Sequence, residues 1–210
     1  YDRLTGTSQW QRPAMFGQVP PHRRITLQRC AEEEPVVSKL LNTILAHCGA
    51  SAVPSVGTRS ADDPFCAGGR GGAFCCVSKQ IFLCEKPWVG CREVAYELSH
   101  ALNVCRGQVR CSSGGVEVDG SDCGYFAPPD VACSELRAAK WTGRCAPHST
   151  DTERQRCLEW HARWAVASCF PEDEHLEAHV RHARTKCAPS KLDLVGGLGE
   201  YLDQYVRFDL

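Results

Sequence analysis

The sequence predicts an α+β domain that is mainly helical, with a short β-sheet and a helical hairpin stapled by disulfides. Apolar residues recur at helical spacing in several segments, whereas only two short segments have the composition of strands. Fifteen cysteines lie along the 210 residues without paired C-x-x-C knuckles. Dispersed cysteines at this density favour disulfides and an oxidising compartment over zinc fingers. Because the cysteine count is odd, we expect at least one thiol that is free or intermolecular.

An extended basic arm is predicted over residues 1–29. It has no helical or strand period, and it contains five arginines but only one acid, Asp2. Two interpretations stay open at this point. The arm is a disordered tail, or it docks on a partner with Trp10, Met15 and Phe16 as anchors.

A domain is predicted over residues 30–190. Three glutamates before Pro35 are typical of a helix start, and two short strands should meet at a turn formed by Ser78 and Lys79. The apolar stripe of a further helix precedes Asn103. The predicted elements are a helix over 32–48, a loop over 54–72, strands over 73–77 and 80–84, and a helix over 91–105.

An acidic loop is predicted as an insertion over residues 111–130. This stretch holds four acids and no lysine or arginine, and its glycines and prolines favour irregular structure. An acidic loop can bind a cation, but the spacing of calcium-binding loops is missing. A solvated loop is therefore the favoured interpretation.

Three helices should follow the acidic loop. They are predicted over residues 131–141, from Thr150 to about residue 168, and from Pro171 to about residue 187. Thr150 and Glu153 match a capping box, and Pro171 with the acids after it suits a helix start. The short break predicts an antiparallel hairpin. Trp160 and Trp164, four residues apart, are expected to pack into the core.

The hairpin also predicts a disulfide. Cys157 and Cys187 lie at similar distances from Pro171, so at about 1.5 Å per helical residue they should reach similar heights. We therefore expect a Cys157–Cys187 bridge, with Cys169 pairing elsewhere, for example with Cys145. The alternative is that both cysteines are small apolar residues between the helices.

The last segment, residues 191–210, is interpreted as an amphipathic docking tail. Three glycines break the chain, and leucines and tyrosines then share one helical face. Such a face suits a partner, or the last core element of the domain.

Charge and hydropathy exclude two function classes. The formal net charge is −1, so no overall basic character points to nucleic acid. No apolar run approaches the roughly 18–20 residues that span a bilayer. We therefore expect no nucleic-acid partner and no membrane-spanning segment.

The candidate chemistry lies on the helix before Asn103. Glu97 and His100 are three residues apart, so they are neighbours on one helical surface. They match the last four residues of H-E-x-x-H, in which two histidines hold zinc and the glutamate activates water. Tyr96 stands where the first histidine belongs. A neutral phenol is a poor replacement for imidazole at neutral pH.

Residues 96–103 (YELSHALN) resemble the HELIHAYD segment of the mitochondrial inner-membrane metalloproteases that process and help assemble ATP synthase, a family that includes the Ku-binding-protein relatives. Cys105-Arg106 resembles the Cys-Arg that follows in that family. Residues 132–139 (ACSELRAA), then Gly143 and Cys145, resemble its ACSEIRAA–SG–C block. The resemblance covers roughly residues 30–189.

The resemblance implies a zincin-like core and a protein of the intermembrane space associated with the inner membrane. Members of the family cleave the presequence of an ATP synthase subunit and separately act as an assembly chaperone. Glu135 is implied as a third zinc ligand.

Three departures predict that the metal site is lost. Tyr96 replaces a ligand, Asn103 replaces an aspartate, and Arg110 stands where the family has an acid, bringing a cation close to the site. His100 and Glu135 leave two ligands, whereas a catalytic zinc needs three protein groups and a water. Nothing in the spacing of His148 makes it a substitute. We expect no zinc and no catalytic residue, with Glu97, His100 and Glu135 as vestiges.

Three functions follow as hypotheses. The first is a catalytically inactive, metalloprotease-like accessory subunit of a mitochondrial inner-membrane complex, either respiratory chain or ATP synthase. The second is an active or residual zinc metalloprotease with an altered ligand set. The third is a free assembly chaperone. Zinc content separates the second hypothesis from the others, and fixed-stoichiometry co-purification with a complex separates the first from the third.

Overall fold

The computed structural model describes residues 25–111 and 127–187, which form an α+β fold with a small sheet among helices. This confirms the mainly helical α+β prediction. The strands are β1 (Ser55–Arg59), β2 (Gly72–Cys75) and β3 (Gln80–Cys84). The helices are α1 (Leu27–Glu33), α2 (Pro35–Cys48), α3 (Cys91–Cys105), α4 (Pro128–Trp141), α5 (Asp151–Cys169) and α6 (Leu176–Lys186).

The predicted helix over residues 32–48 is two helices. Thr26 caps α1 by accepting a hydrogen bond from the backbone N–H of Arg29, so residues 27–29 of the predicted arm are helical. Glu34 is extended, with φ −126° and ψ 104°, and α2 begins at Pro35. Proline has no N–H to donate and its ring disfavours the helical conformation of the residue before it. The break therefore follows from Pro35.

The sheet has the order β1-β3-β2, with β1 parallel and β2 antiparallel to β3. The two predicted strands are β2 and β3, and Lys79 makes the turn between them with φ 52°. β1 lies inside the predicted loop over residues 54–72. It pairs Ser55 with Gln80 and Arg59 with Cys84. Its pairing is with a distant segment, which local composition does not predict.

Helix α3 is the centre of the fold, with the bounds that the sequence predicts. Its buried side chains run from Val94 to Asn103, including polar ones. One apolar cluster joins α3 to α1, α2 and the sheet, and a second joins α4, α5 and α6. Helix α4 packs against both α3 and α5. The polar face of α3 is thus enclosed between helices instead of facing solvent.

Helices α5 and α6 form the predicted antiparallel hairpin. The capping box of Thr150 and Glu153 begins α5, as expected. Ion pairs join Arg163 to Glu177 and Arg184 to Glu159, an order of contacts that only antiparallel helices make. Helix α6 begins at Leu176, later than predicted, after a turn at Pro171.

Trp160 and Trp164 do not pack into the core. The two residues are 40% and 45% exposed, so the core prediction for them is wrong. The core face of α5 is made by alanines and Val166, which allow α4 to approach closely. The two indoles lie on the opposite side of the helix as exposed aromatic surface.

Disulfides join elements that are distant in sequence. Cys30–Cys91 and Cys48–Cys105 tie the two ends of α3 to α1 and α2. The further bridges are Cys66–Cys84, Cys76–Cys111, Cys133–Cys187 and Cys145–Cys157. Cys75 keeps a buried thiol among the described residues, in line with the odd count.

The predicted Cys157–Cys187 bridge and the suggested Cys145–Cys169 pair are both wrong. Cys187 bonds Cys133 of α4, and Cys157 bonds Cys145 in the loop after α4. Cys169 is disulfide-bonded, but not to Cys145. Height along the hairpin does not decide the pairing, because Cys157 and Cys187 belong to different clusters around α4.

Three predicted segments lie wholly or largely outside the described residues. They are the basic arm over 1–29, of which residues 25–29 are described, the acidic loop over 111–130 and the docking tail over 191–210. Within the described ranges, no helix combines the length and apolar character that a membrane crossing requires.

The lengths of the loops that two of the disulfides close predict how much each bridge contributes to stability. In the chain-entropy treatment, the Cys133–Cys187 bridge closes a loop with a sequence separation of 54 and should contribute about 4 kcal/mol to the free energy of unfolding. The Cys145–Cys157 bridge, with a separation of 12, should contribute about 3 kcal/mol. Denaturant unfolding of the two double-serine variants checks this order.

Peptide mapping of the unreduced protein provides the direct check on pairing. A peptide that joins Cys157 to Cys187 would contradict the structure. A peptide that joins Cys133 to Cys187 is expected.

Candidate functional site

The residues of the degenerate motif meet in one buried group. Helix α3 places Tyr96, Glu97 and His100 on the side that faces α4 and the sheet, with side chains 3–5% exposed. Helix α4 brings Glu135 against them. The structure therefore brings together the four residues that the motif and the resemblance single out.

Glu135 is the acceptor at the middle of the group. Tyr96 donates its hydroxyl to Glu135 Oε2 at 2.5 Å. His100 Nε2 lies 3.4 Å from the other carboxylate oxygen, Oε1. Both oxygens that a zinc ion would share are thus engaged by side chains of α3.

A chain of polar groups fixes the orientation of His100. Asn103 donates from Nδ2 to Ser134 Oγ at 3.3 Å, and Ser134 Oγ lies 2.7 Å from His100 Nδ1. With Ser134 donating to Nδ1, the imidazole carries its proton on Nε2, facing Glu135. Arg137 donates to Asn103 Oδ1 at 3.4 Å. Asn103, where the family has an aspartate, is therefore part of the hydrogen-bond network.

Ser134, His100 and Glu135 have the residue types of a nucleophilic triad, but the serine is not accessible to a substrate. Ser134 and Asn103 are fully buried. Ser134 accepts from Asn103 while it contacts His100, so its oxygen is already engaged. A nucleophile has to reach its substrate. The serine therefore orients the histidine.

Two arginines supply the positive charge next to the group. Arg144, in the loop after α4, forms an ion pair with Glu93, and its Cζ lies 4.0 Å from the centre of the Tyr96 ring. Arg70 lies close enough to interact electrostatically with Glu97 and Glu135. Arg110, expected near the site, is largely exposed and pairs with Asp130, with Nε 3.7 Å from Oδ2.

Burial changes the protonation of both acids. Burial, with the charges of Glu135 and Glu93, raises the pKa of Glu97 to about 8, against Arg144 and a backbone hydrogen bond from Phe74. Burial also raises the pKa of Glu135 to about 7, although the Tyr96 hydroxyl and Arg144 oppose that change. Glu97 is consequently protonated at neutral pH, and a protonated carboxyl cannot take a proton from water.

Burial acts in the opposite direction on the histidines. Burial and, to a smaller extent, the charge of Arg144 lower the pKa of His100 to about 3. Because its imidazole is neutral, His100 forms a hydrogen bond with Glu135 and not an ion pair. Burial and the negative charge of Glu135 raise the pKa of Tyr96 well above its usual value, so its phenol stays protonated.

His161 is a member of the group that the sequence did not predict. It lies on α5, with Nδ1 3.5 Å from Tyr96 Oη and its ring edge-on to Trp160 at 5.0 Å. Burial and Arg144 lower its pKa to about 3. His148, considered as a substitute ligand, lies in the loop before α5.

The residues present do not fit the catalytic zinc that the resemblance implies. His100 and Glu135 offer two ligands, and the Tyr96 hydroxyl lies between Glu135 and His161 where a further ligand should converge. A protonated phenol adds no negative charge, and Arg144 adds a positive one beside it. The ion would need three protein groups and an open position for water.

Replacing Tyr96 with phenylalanine should weaken the fold at this point. The ring remains, but Glu135 loses a donor, so we expect the free energy of unfolding to fall by about 1–3 kcal/mol. The pKa of Glu135 should rise above about 7, because the tyrosine bond holds it down. NMR titration and denaturant unfolding measure the two effects.

Thr142→Val is the matched control for Tyr96→Phe. It removes a hydroxyl that donates to the Ala138 carbonyl and lies outside the group. The pKa of Glu135 should not move in this variant. An unchanged Glu135 titration in Tyr96→Phe would contradict the assignment of the hydrogen bond.

The raised pKa of Glu97 makes stability fall as pH rises. Between the unfolded value of 4.5 and the folded value of about 8, the folded chain binds more protons than the unfolded chain. The histidines act oppositely, but only between about 3 and 6.5. Above pH 6.5 the acids dominate, with a slope of at most about 1.4 kcal/mol per pH unit for each carboxyl.

Glu97→Gln should flatten this decline between pH 6.5 and 8. Glu85→Gln, which removes an exposed carboxylate that accepts from Thr58, should leave it unchanged. Thermal unfolding across this pH range measures the decline in stability. If stability falls equally steeply with pH in Glu97→Gln and in the native chain, Glu97 is not the cause of the decline.

Comparison with known proteins returned no match to a protein-family model, a curated protein or a solved structure. The resemblance to the metalloprotease family therefore rests on the motif residues themselves. What this protein does has to be argued from the buried group and from the surface that surrounds it.

Proposed function

We propose that this protein is a catalytically inactive, metalloprotease-like protein that serves as an accessory subunit of a mitochondrial inner-membrane complex, of the respiratory chain or ATP synthase. One observation carries the proposal. Tyr96, at the position of the first zinc ligand, donates a hydrogen bond to Glu135, the acid that the resemblance implies as another ligand. The hydroxyl and the carboxylate thus hydrogen-bond to each other instead of both binding a metal ion.

Three properties of the group argue against peptide hydrolysis. The base that the motif provides, Glu97, is protonated at neutral pH. Glu97 and His100 are only 5% and 3% exposed, so almost none of either residue is accessible to a peptide. Arg144 places a positive charge beside the position of a divalent cation.

The exposed tryptophans of α5 support a role in binding proteins. Trp160 and Trp164 lie one helical turn apart and are 40% and 45% exposed. Tryptophan dominates the energetics of many protein interfaces because a buried indole contributes a large contact area. In a subunit of a complex, this pair is the anchor we expect at the contact.

The compartment is proposed from the disulfides and the resemblance together. The bridges of the described domain require an oxidising environment to form and persist. The family implied by residues 96–103 and 132–145 resides in the intermembrane space. We place the protein there, peripheral to the inner membrane, with protein subunits as its partners.

Absence of zinc and of proteolysis is the first test. The oxidised native protein should contain well under one zinc per chain by elemental analysis and should leave a mitochondrial presequence peptide intact. His100→Gln is the control, and it should not change either result. Zinc at one equivalent in the native protein that His100→Gln removes would favour the residual metalloprotease instead.

Co-purification is the second test, and it separates a subunit from a free chaperone. The tagged protein should purify at fixed stoichiometry with one large membrane complex, and Trp160→Ala with Trp164→Ala should release it while unfolding at a similar temperature. Leu45→Ala, which removes an exposed apolar residue of α2, is the control and should stay bound. Sub-stoichiometric association with assembly intermediates alone would indicate the chaperone.

A further inference from the structure

A second group of potential metal ligands lies beside the buried site. Cys145, Cys157 and His161 each offer a ligand atom, and these atoms lie within 4.8 Å of one another. Cys157 and His161 are four residues apart on α5, so one helical face presents both. Cys145 approaches from the loop after α4. None of the three belongs to the degenerate motif.

In the oxidised protein the two sulfurs are bonded to each other. A disulfide sulfur is not a zinc ligand, since the metal takes thiolate. The bridge therefore hides two ligands whose third partner is already in place. Two cysteines and one histidine, with water in the fourth position, form a known zinc ligand set.

We propose that reduction of the Cys145–Cys157 disulfide creates a Cys2His site for a zinc-like divalent cation, completed by His161. A dithiol reductant supplies two electrons and two protons, breaks the S–S bond and becomes a disulfide itself. The cation then binds both thiolates and one imidazole nitrogen, releasing the two thiol protons to water. The site is independent of the proposed function, which concerns the oxidised protein and the Tyr96–Glu135 pair.

The geometry requires only a small rearrangement. Zinc bonds to sulfur at about 2.3 Å and to imidazole nitrogen at about 2.0 Å, so its ligand atoms lie about 3.5–4 Å apart in a tetrahedral site. The ligand atoms here are already within 4.8 Å of one another. The Cα atoms of the cysteines are 5.7 Å apart, held by α5 and by the end of α4. Parting the sulfurs is the main movement.

The cation would restore the link that reduction removes. Arg144 precedes Cys145, and its guanidinium lies over Tyr96 and pairs with Glu93. The disulfide anchors this loop to α5, so its loss loosens the cover of the buried group. A metal held by Cys145, Cys157 and His161 fastens the same two elements again.

Cobalt is the probe for the test, because thiolate-bound Co²⁺ has near-ultraviolet charge-transfer absorption. The full chain is reduced stepwise with a trialkylphosphine, which takes oxygen from water as it becomes the phosphine oxide. Differential alkylation with mass spectrometry reports which bridges have opened, and circular dichroism reports whether helices persist. We expect the cobalt band to grow in proportion to the opening of Cys145–Cys157, in protein that remains folded.

Two histidine variants test the ligand assignment. His161→Gln should weaken cobalt binding by about tenfold or more, because loss of a ligand exceeds the effect of losing a supporting contact. His179→Gln, which removes an α6 histidine paired with Asp173, should bind like the native chain. Cys145→Ser with Cys157→Ser should abolish the band, and if that variant does not fold, the histidine pair still decides.

Three results would overturn the proposal. The first is a cobalt band that follows the opening of another bridge. The second is equal cobalt affinity in His161→Gln and His179→Gln. The third is loss of the helical signal before Cys145–Cys157 opens, which would show that no folded reduced site exists.

Discussion

The hydrogen bond from Tyr96 to Glu135 is the interaction on which the rest of the site depends. It crosses from α3 to α4, with 2.5 Å between the Tyr96 hydroxyl and Glu135 Oε2. A carboxylate buried between helices is costly unless something opposes its charge or hydrogen-bonds to it. The phenol and the neutral imidazole of His100 together provide that stabilisation. Tyr96 therefore gives this buried carboxylate a hydrogen-bond donor from within the chain itself.

The surrounding residues follow from the same constraint. Burial keeps Glu97 protonated and His100 neutral, so the group carries less charge than its composition suggests. Arg144, with its ion pair to Glu93, offsets the negative charge that remains. Disulfides hold both ends of α3, which limits the movement by which water could enter. The same features that stabilise the polar centre also close it to substrate.

Local sequence signals predict much of this fold, and contacts between distant segments account for what they miss. The bounds of α3, the capping box of α5 and the positions of β2 and β3 follow from periodicity and capping. Local composition does not predict β1, because the strand to which it hydrogen-bonds is about 25 residues away in sequence. The predicted Cys157–Cys187 bridge fails because Cys187 bonds Cys133 of α4 and Cys157 bonds Cys145 in the loop after α4.

The residues of the candidate site also fall into those that the sequence predicts and those that only the structure shows. Tyr96, Glu97, His100 and Glu135 were identified from their motif and from the resemblance. His161 and Arg144 were not, although the spacing of Cys157 and His161 on one helix was a visible signal of a shared face. Arg110 was expected beside the site, and Arg144 occupies that role. Residues of one motif can be recognised from the sequence. The residues that contact them from α5 and from the loop after α4 cannot, because only the fold brings them close.

Diffraction from a crystal of the oxidised protein soaked in zinc, recorded on both sides of the zinc absorption edge, tests the central claim most directly. The account predicts no anomalous peak between His100 Nε2 and Glu135, with the Tyr96 hydroxyl in hydrogen-bond contact with the carboxylate. A strong peak bound by His100 and Glu135, with Tyr96 displaced, would contradict it.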